Sequence, residues 1–283
     1  MLAQYNNSLL CSVTNWAANR VQNVAQAYIN TTAPLYYAPD PRLPAGLLSY
    51  ASSWKTWVYD SGVSGATIIQ SVSGSAGVLG RSSGLIFDYI NGRVLVPSGM
   101  GTKMALTGSF AISEINVGLT NETEEQLLTE SSKFFLNPRY GGTITGNVGI
   151  PPYAICTPAV FVNTIHDDNS AFEFGGLDDC TSTISMICLV ESPFQLQVMM
   201  SLMRDAKYQY IPLMPVTADP ITQWGDTYSG FNYQGIINQY GNPGQLIYIE
   251  QVKTSRVPDR IKLNPMLYMG IVSMDVSYIR TTQ

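Results

Sequence analysis

The sequence contains few charged residues, and this shortage gives the first indication of its class. Asp, Glu, Lys and Arg together make up 12% of the 283 residues, about half the usual share of roughly 25%. Aromatic residues reach 11%, whereas a disordered chain would also be poor in aromatics. Two interpretations fit. The chain is an ordinary β-rich protein, or much of its surface contacts other proteins, because interfaces favour Tyr, Trp and Met over Lys and Glu.

Basic clusters and long apolar runs are also missing. The net charge of −5 and the lack of any basic run argue against a protein that binds nucleic acid by neutralising phosphates. The longest strongly apolar run, at 184–190, is far too short to cross a bilayer. The N-terminal segment has neither the basic nor the apolar part of a signal peptide. We therefore expect no membrane partner, and a protein that is made and kept in a cytosol.

Reactive side chains are scarce. The four cysteines, at positions 11, 156, 180 and 188, form no C-x-x-C pair and no zinc spacing. Cys11 and Cys188 lie on apolar faces, which predicts small buried hydrophobic side chains. The only histidine, His166, stands among aspartates at 167, 168, 178 and 179. Adjacent carboxylates cannot all converge on one ion, so a solvated turn is favoured there over a metal site.

No motif of a catalytic or nucleotide-binding site is present. A Ser-His-Asp site would have to use His166 as its base, and "GRSSGL" at 80–85 is not a G-x-S-x-G elbow. The segment "GSAGVLG" at 74–80 resembles a phosphate loop only in its number of glycines. Paired carboxylates for glycoside hydrolysis stay an open alternative, because such residues are distant in the chain. We predict no enzyme, no cofactor and no metal.

The N-terminal part of the sequence predicts a helix and then a Pro-rich arm. Apolar residues within 8–29 recur at spacings of three and four, as on one face of a helix; they are Leu10, Val13, Ala17, Val21, Val24 and Tyr28. Four prolines then fall within 33–46, and proline opposes regular structure. An extended arm or linker is therefore predicted for that segment.

The middle of the chain predicts β structure. From about 54 to 118, short runs of β-branched and aromatic residues are separated by Gly and Ser. Asn91-Gly92 lies between two apolar-rich runs, which predicts a hairpin with a type I′ turn. A short helix is predicted over 120–135, since glutamates fill its first turn. Residues 137–182 are rich in Gly, Pro and Asn, and we expect long loops with one strand, "AVFVNTI".

The C-terminal part contains the clearest local signals. "TSTISMICLV" at 181–190 is apolar on both faces, as a central strand should be. Ser192 is a predicted N-cap with Pro193 at the first helical position and Gln195 completing a capping box. An apolar stripe follows at helical spacing, formed by Leu196, Met199, Met200 and Met203; it is read as core, with an adaptable interface as the alternative. The last strand, "GIVSMDVSYIR", alternates apolar and polar residues.

These elements predict an α+β fold. Residues 1–32 hold a long N-terminal helix that belongs to the core, and 33–53 form the Pro-rich arm. Residues 54–150 form a β-rich insertion or subdomain. Residues 151–283 form an α/β core with long loops, in which a strand–helix–strand unit packs helices on a mixed or antiparallel sheet.

This order of elements resembles the tail-terminator and neck proteins of long-tailed bacteriophages, whose subunits form rings between head and tail. The segments "FDYINGRVLV" and "SPFQLQVMMSLMRDAKYQYIPL" are also similar to virion structural proteins of aquatic phages. The resemblance covers residues 8–29 and 183–280 best and rests on pattern, with no diagnostic motif. The chain carries more residues than compact terminators, chiefly at 54–118 and 137–182.

The resemblance implies a structural virion protein that forms a ring in the neck (the head-to-tail connector) or terminates the tail tube. Its partners would be copies of itself, in a homo-hexamer or another ring, and adjacent neck or tail proteins. It would be assembled in the host bacterial cytoplasm and reside in the virion. Charge-poor, Tyr-rich loops would form the joints without buried ions. The candidate interface residues are Tyr89, Asn91, Gly92, Arg93, Tyr140, Trp224, Tyr228 and Tyr233.

DNA would be only a transiting cargo, because an acidic lumen repels phosphates and lets the genome slide. The rival interpretation is a receptor-binding, carbohydrate-binding or decoration module of the particle. A hydrolase that depends on His166 is the third hypothesis.

Overall fold

A computed structural model describes the chain except for residues 1, 76, 103, 132–133, 137–155, 173–176, 223, 228–229, 242–245, 259–263 and 282–283. The described residues form a mixed α/β protein. Its helices are α1 Leu2–Asn19, α2 Glu124–Glu130, α3 Pro193–Arg204 and α4 Tyr233–Tyr240. Its strands are β1 Tyr28–Tyr37, β2 Leu47–Ala51, β3 Ser71–Gly74, β4 Gly77–Gly80, β5 Ile86–Asp88, β6 Arg93–Pro97, β7 Leu106–Ser113, β8 Asn116–Leu119, β9 Phe135–Leu136, β10 Cys156–Thr157, β11 Ala159–Phe172, β12 Leu177–Val190, β13 Tyr210–Pro212, β14 Leu246–Arg256 and β15 Tyr268–Thr281.

Two large sheets divide these strands. The first sheet has the order β4-β3-β7-β1-β2-β6-β5, and the second has the order β13-β14-β15-β12-β11-β8. β9 and β10 form a separate parallel pair. Aromatic side chains fill the core of the first sheet, where Trp57 stacks on Phe110 with 4.4 Å between the ring centroids. One face of the second sheet packs against α1 and α3, and this contact forms the largest hydrophobic cluster.

The N-terminal helix ends earlier than the periodicity predicts. α1 stops at Asn19, a single π-helical segment follows at Arg20–Val24, and Gln26 adopts a positive φ of 50°. β1 then begins at Tyr28, which pairs with Ser113 of β7. Sheet pairing with a segment far along the chain therefore overrides the local helical pattern at the end of the predicted helix.

The Pro-rich segment is not irregular throughout, so the prediction of an arm over 33–46 is wrong for its first part. β1 continues to Tyr37 and includes Pro34, which lies opposite Thr107 of β7. On the other side of β1, β2 pairs only with Tyr36 and Tyr37. Proline has no backbone N–H to donate to a neighbouring strand, so a strand tolerates it where one of its two edges has no paired neighbour. Pro34 occupies such a position among the described strands.

Helix α3 has the predicted N-terminus. The Ser192 hydroxyl accepts a hydrogen bond from the Gln195 N–H at 3.1 Å, and Pro193 opens the helix. The reciprocal bond differs from a standard capping box, because the Gln195 side chain accepts from the Glu191 N–H at 3.1 Å. The predicted apolar stripe is buried, and a Cβ on Gly270 of β15 would lie 2.8 Å from Leu196. This glycine lets the helix lie directly on the sheet.

Other predictions are confirmed or corrected locally. Val272, Met274 and Val276 of β15 are buried while the residues between them are partly exposed, as the alternation predicts. The helix expected over 120–135 is limited to α2, which a Thr123–Gln126 capping box starts. The predicted strand "AVFVNTI" is confirmed as the first half of β11. Residues 166–172 and 177–180 are strand where loops were expected, because β11 and β12 pair from Ala159 opposite Leu189 to Phe172 opposite Leu177.

Candidate functional site

The structure brings five of the eight predicted interface residues together. Four of them lie at the tip of the β5–β6 hairpin, and Trp224 lies in the loop 219–227 that packs against this tip. Tyr233 lies elsewhere, at the start of α4. Tyr140 and Tyr228 lie outside the described residues.

The β5–β6 hairpin lies where the sequence predicts it, but the connection between its strands has four residues, 89–92, since Asp88 pairs with Arg93. In that connection only Gly92 has a positive φ, so the turn is not type I′.

A buried ionic network fixes the hairpin tip. Arg93 donates from Nε to Asp88 Oδ2 at 2.7 Å and from one terminal nitrogen to Asp40 Oδ2 at 2.8 Å. Asp88 also accepts from the backbone and side-chain nitrogens of Asn91. The Asp40 carboxylate also accepts two side-chain bonds from Arg42. The bond from Arg42, with that from Arg93, holds the pKa of Asp40 well below its usual range despite burial. These charges are neutralised within the chain.

The loop 219–227 is attached to the hairpin by a backbone hydrogen bond and to the segment before the hairpin by an ion pair. The Tyr89 N–H donates to the Gly225 carbonyl at 2.9 Å. Arg81 forms a two-pronged ion pair with Asp226, in which one nitrogen lies 2.6 Å from Oδ1. Gly225 has φ +74°, and a Cβ there would lie 2.1 Å from Asp88 Oδ1. Only glycine gives both the left-handed backbone and the close approach.

A cleft of about 400 Å³ remains between the tip and the loop, lined by Asn91, Arg93, Ile221, Thr222, Trp224 and nearby residues. The polar groups of the tip described above are hydrogen-bonded within the chain, and this arrangement supports a fixed shape more than chemistry. Asn91 and Trp224 are half-buried here. These two are the predicted interface side chains that a partner could reach at this cleft.

Four predicted interface residues are corrected by their burial. Tyr89 is fully buried and its hydroxyl donates to the Ile69 carbonyl at 2.8 Å. Arg93 and Tyr233 are also buried, and a Cβ on the buried Gly92 would lie 2.0 Å from the Trp54 carbonyl oxygen. In this fold they hold the protein's own segments together. The compositional rule for interfaces failed at these sites because Tyr and Arg also serve as buried polar anchors.

The second region of interest is the β arm, which we define as residues 163–170 of β11 with 178–184 of β12. His166 pairs with Thr183 and Asp168 with Thr181, so the histidine and the aspartates lie on strands. The expected solvent exposure of His166 is confirmed, but the expected turn at its position is wrong. Residues 165–170 are exposed at six successive positions, so both faces of β11 are open there.

The outer edge of the β arm has no neighbouring strand in the described part of the chain. β8 pairs with β11 only from Ala159 to Val162, whereas β12 pairs along the other side as far as Phe172. The edge from Asn163 onward therefore presents backbone N–H and C=O groups. Ile165 is 61% exposed on this edge. The sequence "IHDDNS" carried a signal for this, since polar residues at successive positions contradict a one-sided strand.

A third feature is a group of exposed tyrosines at the opposite edge of the second sheet. Tyr210 of β13 lies directly opposite Tyr248 of β14, with ring centroids 5.1 Å apart. The Tyr208 ring centroid lies 6.4 Å from that of Tyr248. Sequence reasoning missed this group because Tyr248 lies almost forty residues from the other two, and only sheet pairing brings it to them.

The remaining candidate chemistry is limited. Among the described residues, no group of three or more His, Cys, Asp and Glu side chains is placed to hold a metal ion. Cys11 and Cys188 are buried as predicted, and burial raises the pKa of each thiol to about 12. Thiols in such surroundings are inert at neutral pH.

Comparison with known proteins gives no identification: neither a protein-family model nor a curated protein matches the chain. None of the described helices is long and apolar enough to cross a membrane.

Proposed function

We propose that the protein is a structural subunit of a tailed-phage particle that forms a ring in the neck, at the head-to-tail connector, or terminates the tail tube. In this proposal the α+β skeleton is that of such a subunit, with its N-terminal helix and its strand–helix–strand C-terminal core. The protein is assembled in the host bacterial cytoplasm and resides in the virion. The observation that carries the proposal is the open edge of the β arm.

The β arm has the properties of a joint between subunits. Over residues 163–170 no strand among the described residues pairs with its outer edge, and an extended segment of a neighbour can add to such an edge as a further strand. His166, Asp167 and Asp168 are all exposed there, and charged side chains on an edge oppose uncontrolled pairing. Addition of a neighbour's strand at one edge is a head-to-tail contact, which closes into a ring when the rotation between subunits permits.

The net negative charge suits a ring that DNA traverses. The chain carries a net charge of −5, so a lumen with that sign would repel phosphates and allow the genome to slide. We therefore expect no measurable affinity for double-stranded DNA even at low salt, where phosphate contacts are strongest. Fluorescence anisotropy with a labelled duplex measures this. Tight binding at low salt would refute a sliding lumen.

The oligomeric state tests the ring directly. Light scattering coupled to size exclusion, with negative-stain imaging, should show a closed ring of identical subunits. The variant Ile165→Lys places a charge on the arm edge and should reduce the mass to that of a monomer. Val78→Lys is the matched control, because Val78 is 72% exposed on β4 of the first sheet. A monomeric wild type, or a ring that Ile165→Lys leaves intact, contradicts the proposal.

A second candidate function is a carbohydrate-binding or receptor-binding module of the particle. The exposed tyrosines of β13 and β14 favour it, since aromatic faces stack on sugars as well as on proteins. A trimer or monomer that binds glycans would favour this candidate over the ring. The third hypothesis, a hydrolase using His166, predicts turnover that His166→Ala abolishes.

A further inference from the structure

The tyrosine row, which we define as Tyr208, Tyr248 and Tyr210, is an ordered aromatic surface. Tyr208 and Tyr210 are 62% and 59% exposed, and Tyr248, whose ring is near both, is half-buried. Tyr248 and Tyr208 have nearly parallel ring planes, 19° apart. The neighbouring Ile247 and Ile249 point into the core, so the alternation along β14 directs Tyr248 to the opposite face of the sheet. The row therefore lies at the β13 edge, on the face opposite the one that α1 and α3 cover.

The backbone holds Tyr208 in an unfavourable conformation. Its φ is +67°, a region that bulky residues rarely adopt. Two hydrogen bonds fix the segment, from the Tyr208 N–H to the Ile249 carbonyl at 2.9 Å and from the Ile249 N–H to the Gln209 carbonyl at 3.0 Å. Lys207 adds its ammonium group 4.5 Å from the Tyr208 ring centroid. Such strain persists where the surroundings impose it, and it is concentrated at binding sites.

A cleft lies next to the row at the β13 edge. It has a volume of about 330 Å³ and shares Tyr210 with the row. Its other lining includes Trp16, Tyr233, Asn19, Arg20 and Gln209. The walls thus combine aromatic rings with planar amide and guanidinium groups. The volume of the cleft lies at the lower end of the range for small-molecule sites.

The polar wall of the cleft is held by contacts within the chain. Arg20 lies over the Trp16 ring and donates to the Gln209 side chain at 2.8 Å and to the Leu202 carbonyl at 2.9 Å. These contacts hold the Arg20 guanidinium in place on the wall of the cleft.

We propose that the tyrosine row and the neighbouring cleft bind a neutral oligosaccharide. Its sugar rings pack on the tyrosines, and one end of the oligosaccharide enters the cleft. The C–H face of a pyranose packs on the negative face of an aromatic ring, and sugar hydroxyls both donate to and accept from amide and guanidinium groups. Single-stranded nucleic acid would also stack on aromatics, but it needs a positively charged groove that follows its backbone. Here the cations Lys207 and Arg20 lie at the row and the cleft. Asp205 and Glu250 stand near the tyrosines in the sequence, and the chain carries a net charge of −5. This site does not depend on the ring.

Titration with oligosaccharides tests the proposal. The probes are hexamers of β-1,4-glucose, α-1,4-glucose, β-1,4-N-acetylglucosamine and α-1,6-mannose at millimolar concentration, followed by calorimetry and saturation-transfer NMR. At least one should bind, and Tyr248→Ala should weaken that binding about tenfold. Tyr36→Ala is the matched control, since Tyr36 is 39% exposed on β1 of the other sheet, and it should leave binding unchanged.

The variant Tyr208→Gly separates binding from folding. Glycine adopts the positive φ without strain, so the melting temperature should not fall while oligosaccharide binding is lost. Failure of all four hexamers to bind would overturn the proposal. It would also be overturned if Tyr208→Gly and Tyr248→Ala dissociated an oligomer, since the row would then be a contact between copies of this chain. Neither result bears on the arm edge, which Ile165→Lys tests separately.

Discussion

The tip of the β5–β6 hairpin and the β arm both carry Asp and Asn beside a basic side chain, but their surroundings differ. At the tip, Arg93 is 7% exposed in its side chain and contacts both Asp88 and Asp40. On the arm, His166 and the adjacent aspartates face solvent on an open strand. The same residue types therefore fix the hairpin tip within the fold but leave the β arm exposed to solvent. Clustered polar residues are therefore candidates for an interface only where the fold leaves them exposed.

The largest expected effect concerns the buried guanidinium at the tip. Arg93→Ala would leave the Asp88 and Asp40 carboxylates without their shared partner, and it should lower the free energy of unfolding by about 3–5 kcal/mol. Arg42→Ala is the control. Its side chain is 56% exposed, so its removal should cost about 1 kcal/mol or less. Urea denaturation measures both. Equal losses for the two variants would mean that the tip is no more fixed than the surface.

Glycine substitution measures how closely the loop 219–227 packs on the tip. Gly225→Ala combines a left-handed backbone with a collision against Asp88 and should destabilise by about 2–3 kcal/mol. Gly230 has a similar φ of +78° with nothing within 4 Å of an added Cβ, so Gly230→Ala should cost about 1 kcal/mol. Thermal or urea unfolding gives the difference, which is the packing contribution alone. Equal losses of stability for the two variants would contradict the close contact between Gly225 and Asp88.

The low pKa of Asp40 predicts a pH dependence of the tip. A carboxyl whose pKa is depressed on folding stabilises the protein fully above its unfolded value of about 3.9 and loses that contribution as the pH falls. Asp40→Asn should therefore lower the free energy of unfolding by about 1.5 kcal/mol at neutral pH. The difference from wild type should shrink as the pH falls below about 4. Urea curves across this range check the prediction, and a constant difference would contradict it.

The smallest expected effect is on the arm. Ile165 is 61% exposed, so Ile165→Lys should change the free energy of unfolding of the isolated subunit by no more than about 0.5 kcal/mol. Its effect should appear in the oligomeric mass instead. A large destabilisation of the monomer would mean that the arm edge is packed within the chain, and the contrast with the hairpin tip would disappear.

Several elements could be predicted because their signals are local. The Ser192 cap, the buried face of α3 and the alternation of β15 depend on residues within a few positions of one another. The hairpin around Gly92 could be located, but its turn type could not, because the loop conformation also depends on contacts with residues 52–57. The Gly92 carbonyl accepts from Ser52, and the Tyr89 carbonyl accepts from Trp57.

By itself the sequence determined the capped helix α3, the two-faced final strand, the hairpin position and the shortage of charge. Tertiary structure alone decided that Tyr28 belongs to a strand, that Tyr89 and Arg93 are buried, and that Tyr208 and Tyr248 stand side by side. The physical reason is the range of the interactions. Caps and periodic faces act over one or two turns of chain, whereas sheet pairing and buried ion pairs join segments that are distant in the sequence.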